Sequence, residues 1–128
     1  HPSCTILVEH DLFSFCSFTY TEDFPKFAAH AQDQIDLVQR DPWIKNDSDN
    51  DAQLFMTAIP WASFTSFMHP LNHPVDSIPR FAWGKYFQEG DQIKMPLSVQ
   101  GHHALMDGLH IGHYFQLIQE HLYNPEFI

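Results

Sequence analysis

The chain has 128 residues, a length that fits one domain and is sufficient to bury a core. Hydrophobic residues make up 44% of it and aromatic residues 15%, with twelve Phe, which excludes a disordered or low-complexity segment. Sixteen acidic and six basic residues give a formal charge of −10, which argues against a surface of clustered Lys and Arg, so we expect no nucleic-acid partner.

Cysteine usage and the lack of long apolar runs suggest the cellular location. Cys4 and Cys16 are too few for a disulfide framework, and no signal-peptide pattern is present. No apolar run approaches the ~20 residues that a membrane-spanning helix needs. We therefore expect an acidic cytoplasmic protein without membrane association. Because the chain opens at His1 rather than Met and enters a strand-like pattern at once, we also expect a fragment, a processed product or a truncated gene.

The first third of the chain predicts a hairpin followed by a helix. β-Branched and aromatic residues concentrate in residues 5–8 and 13–20, and the second run largely alternates with polar residues, as a half-buried strand does. Residues 9–11 predict a short turn between these strands. From residue 22 to residue 40, apolar side chains recur at helical spacing with acidic residues at the start, which predicts a helix. The polar residues 43–52 predict a loop.

The middle of the chain predicts two strands and an irregular segment. Residues 54–58 and 61–67 have strand composition, and Pro60 interrupts the hydrogen-bond ladder between them. Residues 68–79 contain three prolines and two histidines, which predicts irregular structure.

The last third predicts two more strands and a closing helix. Residues 80–87 and 93–102 have strand composition, and residues 107–122 follow an amphipathic helical pattern. No repeat and no internal boundary is visible, so we expect a single domain over residues 1–128. The fold class we predict is α/β, a two-layer sandwich of a mixed β-sheet with helices.

The sequence H-H-A-L-M-D-G at residues 102–108 is the most informative motif. It joins the end of an apolar run to the start of the last helix. A histidine there can accept a proton near neutral pH, since its ordinary pKa is roughly 6.5. Asp107 is well placed to cap the helix, and Gly108 allows backbone freedom beside it.

A metal site is the alternative function for this motif. His103, Asp107 and His110 fall at i, i+4 and i+7, and the chain contains ten histidines. However, no H-E-x-x-H pattern and no cysteine pairing accompany them, and His103 is predicted to precede the helix. We therefore expect no metal.

Beyond these residue patterns, the motif resembles the signature of the coenzyme-A-dependent acyltransferases, and three further blocks make the resemblance closer. They are P-W-A-S-F-T-S-F at residues 60–67, G-K-Y at 84–86 with E-G-D at 89–91, and M-P-L-S-V-Q-G at 95–101. With them the chain resembles the chloramphenicol acetyltransferases of the classical trimeric type. The resemblance implies the coenzyme-A-dependent acyltransferase fold in partial form, as the C-terminal portion of an acetyltransferase domain.

The resemblance also implies an activity and its central residues. It implies transfer of acetyl from the co-substrate acetyl-CoA to a hydroxyl of chloramphenicol or a similar small molecule, and hence antibiotic resistance. His103 matches the family's catalytic base. Asp107 matches a structural aspartate, whose arginine partner comes from the N-terminal portion that this chain lacks. Thr57 falls where the family usually has a serine that hydrogen-bonds the developing oxyanion.

The remaining site residues implied by the resemblance line the substrates. Phe67 matches a residue near the acceptor pocket, and Tyr86 matches one near the coenzyme. Trp61, a core or pocket-wall residue by type, is also predicted to bind the substrate. Ala82 departs from the threonine usual at its position. Because family members are homotrimers with each active site between two subunits, the resemblance implies a homotrimer.

Two other functional hypotheses remain at this point. The chain is alternatively a catalytically inactive remnant that serves as an oligomeric or ligand-binding module, because the arginine partner of Asp107 is missing. It is alternatively the core of a dehydrogenase-complex acyltransferase or a condensation domain, which the blocks around Trp61 and Lys85 fit poorly.

Overall fold

The computed structural model describes residues 1–42, 52–70 and 76–124. In chain order, the elements are β1 (Pro2–Leu7), β2 (Phe13–Ser17), α1 (Phe24–Arg40), β3 (Leu54–Ile59), β4 (Arg80–Gly84), β5 (Phe87–Glu89), β6 (Gln92–Lys94), β7 (Leu97–Gln100) and α2 (Gly108–Tyr123). A 3₁₀ turn over Glu9–Asp11 joins β1 to β2, at the position predicted for a hairpin turn.

Five of the strands form one mixed sheet, in the order β2-β1-β3-β4-β7. The three inner strands run parallel to one another, and the two outer strands pair antiparallel with their neighbours. β5 and β6 form a separate hairpin. A mixed sheet with two helices confirms the predicted α/β fold class.

One face of the sheet carries the apolar core and both helices. The strand register aligns Met56 with Cys4 on one side and with Phe81 on the other. Cys16, Phe18 and Val38 are the buried residues of a cluster in which α1 packs against β1 and β2. On α2, the ring of Tyr114 lies 5.3 Å from the ring of Phe81. Both helices therefore cover the same face, because side chains that align across adjacent strands point to the same side.

The opposite face of the sheet, called the polar face below, carries polar side chains along β3, β4 and β7 together with Phe55. Thr57 aligns with Ala82 and then with Ser98, while Arg80 aligns with Gln100. The segment that follows β3 lies over this face, where the Ser98 hydroxyl donates to the Phe67 carbonyl at 2.9 Å. The sheet thus separates an apolar face under the helices from a polar face under residues 60–70.

α1 begins where its sequence provides a cap. The Asp23 carboxylate accepts a hydrogen bond from the Lys26 amide at 3.1 Å, and Pro25 occupies the first turn. Proline is tolerated there because the first amides of a helix have no partner within it. The helix therefore starts two residues later than the predicted residue 22.

The prediction of a strand over residues 61–67 is wrong. The chain turns after β3: the Ala62 amide donates to the Ile59 carbonyl at 3.3 Å, and the Ala62 carbonyl accepts from the Lys85 amide at 2.8 Å. Pro60 has no amide hydrogen to continue a ladder, so the aromatic residues that follow pack onto the sheet instead of extending it.

The predicted strands 80–87 and 93–102 are each split in two. Pro96 separates β6 from β7, and its carbonyl accepts from the Gly84 amide at 3.1 Å, where β4 ends. The short hairpin β5–β6 projects from the sheet between these two points. Most of the predicted loop 43–52 and part of the irregular stretch 68–79 lie outside the described residues.

Within the described ranges, no helix has the length and apolar character to cross a membrane.

Candidate active site

His103 lies in the short connection between β7 and α2. Its Nδ1 is 3.3 Å from the Met106 carbonyl oxygen, and the Leu105 and Met106 amides donate to the His102 carbonyl. A carbonyl can only accept, so this contact places the ring proton on Nδ1 and leaves the Nε2 lone pair available. This is the tautomer that a general base requires.

Gly101 allows this connection to fold tightly. A Cβ atom built at Gly101 would come within 2.0 Å of the Met106 Sδ. Any other residue there would force the Met106 side chain to move.

Two clefts flank His103. The first, about 340 Å³, is lined by Val99, Gln100, Gly101, His103, Met106, Asp107, Gly108 and Ile111. The second, about 260 Å³, is lined by Asp76, Ile78, Arg80, Gln100, Gly101, His102 and His103. His103, Gln100 and Gly101 line both clefts, so a base at His103 can contact molecules that enter from two sides.

Asp107 caps α2. Its Oδ1 accepts from the Leu109 amide at 3.0 Å and from the His110 amide at 3.4 Å. Hydrogen bonds from the His110 and Leu109 amides, in that order, hold the pKa of the Asp107 carboxyl below its ordinary value.

His110 completes the cap from the other side. Its Nδ1 lies 3.1 Å from the Asp107 backbone nitrogen and 2.8 Å from Asp107 Oδ1. One nitrogen cannot serve both groups at once: the neutral ring accepts from the amide, and the protonated ring donates to the carboxylate. In either state, the side chain stabilises the helix start beside His103.

Both arginines of the chain pair with carboxylates other than that of Asp107. Arg40 pairs with Asp36 at 3.8 Å on α1, and Arg80 pairs with Asp76 at 2.5 Å. Asp107 therefore has the helix-capping role predicted from its position in the sequence.

Arg80 is a buried charge at the second cleft. Its side chain is only 6% exposed, and it also donates to the Ile78 carbonyl at 3.1 Å. Its guanidinium lies 5.5 Å from the centre of the Phe55 ring. The Asp76 carboxylate and the aromatic face together compensate a charge that would otherwise be costly to bury.

Thr57 connects to the clefts through His69 and Gln100. Its Oγ1 lies 3.1 Å from His69 Nε2, and the His69 amide donates to Gln100 Oε1 at 3.1 Å. Gln100 lines both clefts beside His103. Thr57 lines neither cleft itself, and its hydroxyl contacts a histidine whose backbone is held by a cleft residue.

The sequence does not mark His69 as a site residue, because His69 lies in residues 68–79, where no periodicity indicates a buried face. The ring is half-buried and lies edge-on to the Phe67 ring, with 4.9 Å between centres. Burial and, secondly, the nearby Arg80 charge lower the pKa of His69.

The three residues predicted to contact the substrates differ in their burial. Phe67 packs against the ring of His69 and does not line the two clefts. Trp61, in the turn that follows β3, is 76% exposed, and Tyr86, just after β4, is 68% exposed. Neither residue lines the two clefts.

In the part of the chain that the structure describes, no three or more His, Cys, Asp and Glu side chains are grouped to hold a metal ion.

Comparison with known proteins identifies the family. The sequence model of the family described as chloramphenicol acetyltransferase matches residues 1–119. The chain belongs to this family. Curated chloramphenicol acetyltransferases from Clostridium perfringens and Escherichia coli are each 34% identical to it, over 98% and 94% of the chain respectively.

The match covers part of each family member. The chain spans 59% of the Clostridium perfringens protein and 56% of the Escherichia coli protein. A solved chloramphenicol acetyltransferase superposes with a TM-score of 0.81 at 22% identity, over 93% of this chain and 59% of that one. This likeness identifies the chloramphenicol acetyltransferase fold in partial form.

Proposed function

We propose that the chain is part of an O-acetyltransferase that moves acetyl from acetyl-CoA to a hydroxyl of chloramphenicol or a similar small molecule. The observation that carries the proposal is the His103 ring, whose Nδ1 is held by the Met106 carbonyl while the residue lines two clefts. The family's name and that of its relatives support the acceptor.

In the proposed reaction, His103 is the general base. Its Nε2 removes the proton of the acceptor hydroxyl while the hydroxyl oxygen attacks the thioester carbonyl of acetyl-CoA. The tetrahedral intermediate collapses by breaking the carbon–sulfur bond, and the imidazolium returns its proton to the departing thiolate. The products are an acetyl ester and coenzyme A, and His103 is again neutral.

Other residues would support this step. We propose that the Thr57 hydroxyl donates to the oxyanion of the intermediate, since one positioned donor of this kind is typically worth roughly 10²–10³-fold in kcat. Asp107 would position His103 indirectly, because it fixes the start of α2 next to the Met106 carbonyl. Phe67 and Trp61 would contact the acceptor, and Tyr86 the coenzyme.

We also propose that the active protein is a cytoplasmic homotrimer, that it acts in antibiotic resistance, and that residues 1–128 are the C-terminal portion of its single domain. A second subunit would supply contacts for exposed side chains such as Trp61 and Tyr86.

The test is coenzyme A release from acetyl-CoA, with and without chloramphenicol, using the protein and its His103→Ala variant. We expect chloramphenicol-dependent release that falls about 10²–10⁴-fold in the variant, because a positioned general base contributes that much. Thermal unfolding should be unchanged, since His103 is exposed.

His113→Ala is the matched control, because His113 is an exposed histidine on α2 that lines neither cleft. It should retain full activity. An unchanged rate in His103→Ala would refute the general-base role, and a protein that releases no coenzyme A at all would favour the inactive module.

A further inference from the structure

We infer that His69 is a positioning residue for the reaction: its Nε2–H donates to Thr57 Oγ1 and so directs the Thr57 hydroxyl proton toward the oxyanion. The inference rests on the proposed function, and it adds a second histidine with a different task from that of His103. The contact that carries it is the 3.1 Å distance between Thr57 Oγ1 and His69 Nε2.

The direction of this hydrogen bond decides what Thr57 can do. A hydroxyl has one proton and two lone pairs. If Thr57 donated to His69, its proton would be used and none would remain for an oxyanion. If instead His69 donates, Thr57 accepts through a lone pair and keeps its proton for the substrate. Only the second arrangement is compatible with an oxyanion donor.

The surroundings of His69 fix its position independently of Thr57. Its backbone amide donates to Gln100 Oε1 at 3.1 Å, and its ring lies edge-on to the Phe67 ring. Gln100 aligns with the buried Arg80 across β7 and β4. The ring is therefore held from its backbone and from one edge, which leaves Nε2 aimed at the polar face of the sheet.

The charge state of His69 fits a role as donor without proton exchange. Its pKa is lowered by burial and by the Arg80 guanidinium, so the neutral ring predominates near neutral pH. A neutral imidazole has one ring proton, and the Nε2–H tautomer places it toward Thr57. A donor and a hydroxyl in series polarise one another, which strengthens the bond that Thr57 offers to the intermediate.

The kinetic test replaces His69 by Leu and by Gln. His69→Leu removes the donor and should lower kcat about tenfold, the effect expected for one neutral hydrogen bond, with no change in KM for either substrate. In His69→Gln, the amide N–H stands close to the position of Nε2–H and should restore most of kcat. His113→Leu, on the exposed part of α2, is the control and should have no effect.

The variant His69→Leu is then combined with Thr57→Ala. If His69 acts through Thr57, the double variant should be no slower than Thr57→Ala alone, because the group that His69 orients is already gone. An equal loss from His69→Leu in both backgrounds would overturn the inference, as would a His69→Gln variant no faster than His69→Leu.

Measurement of the tautomer tests the hydrogen bond without any turnover. The ¹⁵N shifts of the imidazole nitrogens in the unmodified protein, with His69 assigned by its absence in His69→Gln, should show the proton on Nε2. A proton on Nδ1 would overturn the inference even in an active enzyme. A proton on Nε2 in a protein that transfers no acetyl would refute the proposed function, and with it the catalytic use of this bond, but not the bond itself.

Discussion

Two histidines of the site are held by different partners, and the partner determines what each ring can do. His103 meets a carbonyl, which can only accept, so its free nitrogen is basic. His69 meets a hydroxyl, which can both donate and accept, so its role depends on the direction of one hydrogen bond. The residue type is the same, and the difference comes from the group placed opposite the ring.

At the residue scale, only some of the site residues could be predicted from the sequence. His103 and Asp107 stand in a recognisable motif, and the helix cap of Asp107 follows from its place before an amphipathic run. His69 carries no such signal, because its burial depends on how residues 60–70 fold back over the sheet. Arg80 is similar: the sequence shows a basic residue at the start of a strand, and only the structure shows that it is buried and paired with Asp76.

The charge of Asp107 makes a residue-scale prediction about pH. Its folded pKa lies below the ordinary value of 3.8, so its charge stabilises the fold above that pH, and the stabilisation is lost as the pH falls through the folded pKa. Asp107→Asn keeps a capping side chain but removes the charge. We expect its unfolding temperature to be below that of the unmodified protein at neutral pH and equal to it in strong acid.

Thermal unfolding at a series of pH values checks this prediction. Asp33→Asn, an exposed substitution within α1, is the control. The loss of a helix cap should not contribute to any difference between its unfolding temperature and that of the unmodified protein. A gap for Asp107→Asn that persists or grows in acid would contradict the assigned role of the charge.

At the scale of elements, helices were better predicted than strands. The helical period of α1 and α2 follows one apolar stripe along each helix, which the sequence shows directly. Strand composition in residues 61–67 was misleading, because aromatic residues that pack onto a sheet from above resemble those within it. Pro96 was visible in the sequence, but its effect, the separation of β6 from β7, depends on the bend at Gly84.

Two glycines give a matched prediction at this scale. A Cβ at Gly84 would lie 2.7 Å from the Ala62 carbonyl oxygen and 2.9 Å from Pro96 Cγ, whereas a Cβ at Gly112 on α2 would meet nothing within 4 Å. Gly84→Ala should destabilise the protein by about 1–3 kcal/mol through overpacking. Gly112→Ala should stabilise it by about 0.5–1 kcal/mol, since alanine loses less backbone entropy in a helix interior.

Denaturant unfolding of both variants measures whether each substitution raises or lowers the free energy of unfolding. Effects of the same sign and size would contradict the close approach of the Ala62 backbone to β4, on which the position of residues 60–70 over the polar face depends.

At the scale of the whole molecule, the buried apolar side chains of the described residues lie under α1 and along β4. Phe18 is 8% exposed within the cluster of Cys16 and Val38, while Phe13, on the other face of the hairpin, is 63% exposed. Phe18→Ala should lower the free energy of unfolding by about 3–5 kcal/mol, the usual effect of removing a buried aromatic ring. Phe13→Ala should change it by less than about 0.5 kcal/mol.

Chemical denaturation of the two phenylalanine variants separates these values. Similar losses in both would mean that the exposed face of β2 is covered in solution, for example by another subunit, and would identify that face as an interface.

Because burial is uneven, different parts of the molecule should unfold in a definite order on heating. None of the residues of α2 is buried, and β7 is an edge strand that pairs only with β4 in the described sheet. The connection that carries His103 joins these two elements, so it belongs to the part of the protein that opens most easily. Amide hydrogens of α2 should therefore exchange with solvent sooner than those of α1, and inactivation should precede loss of the secondary structure around Phe18. The connection that carries His103 would then lose its structure before the region around Phe18, and a ligand that bridges the two clefts would protect that connection first.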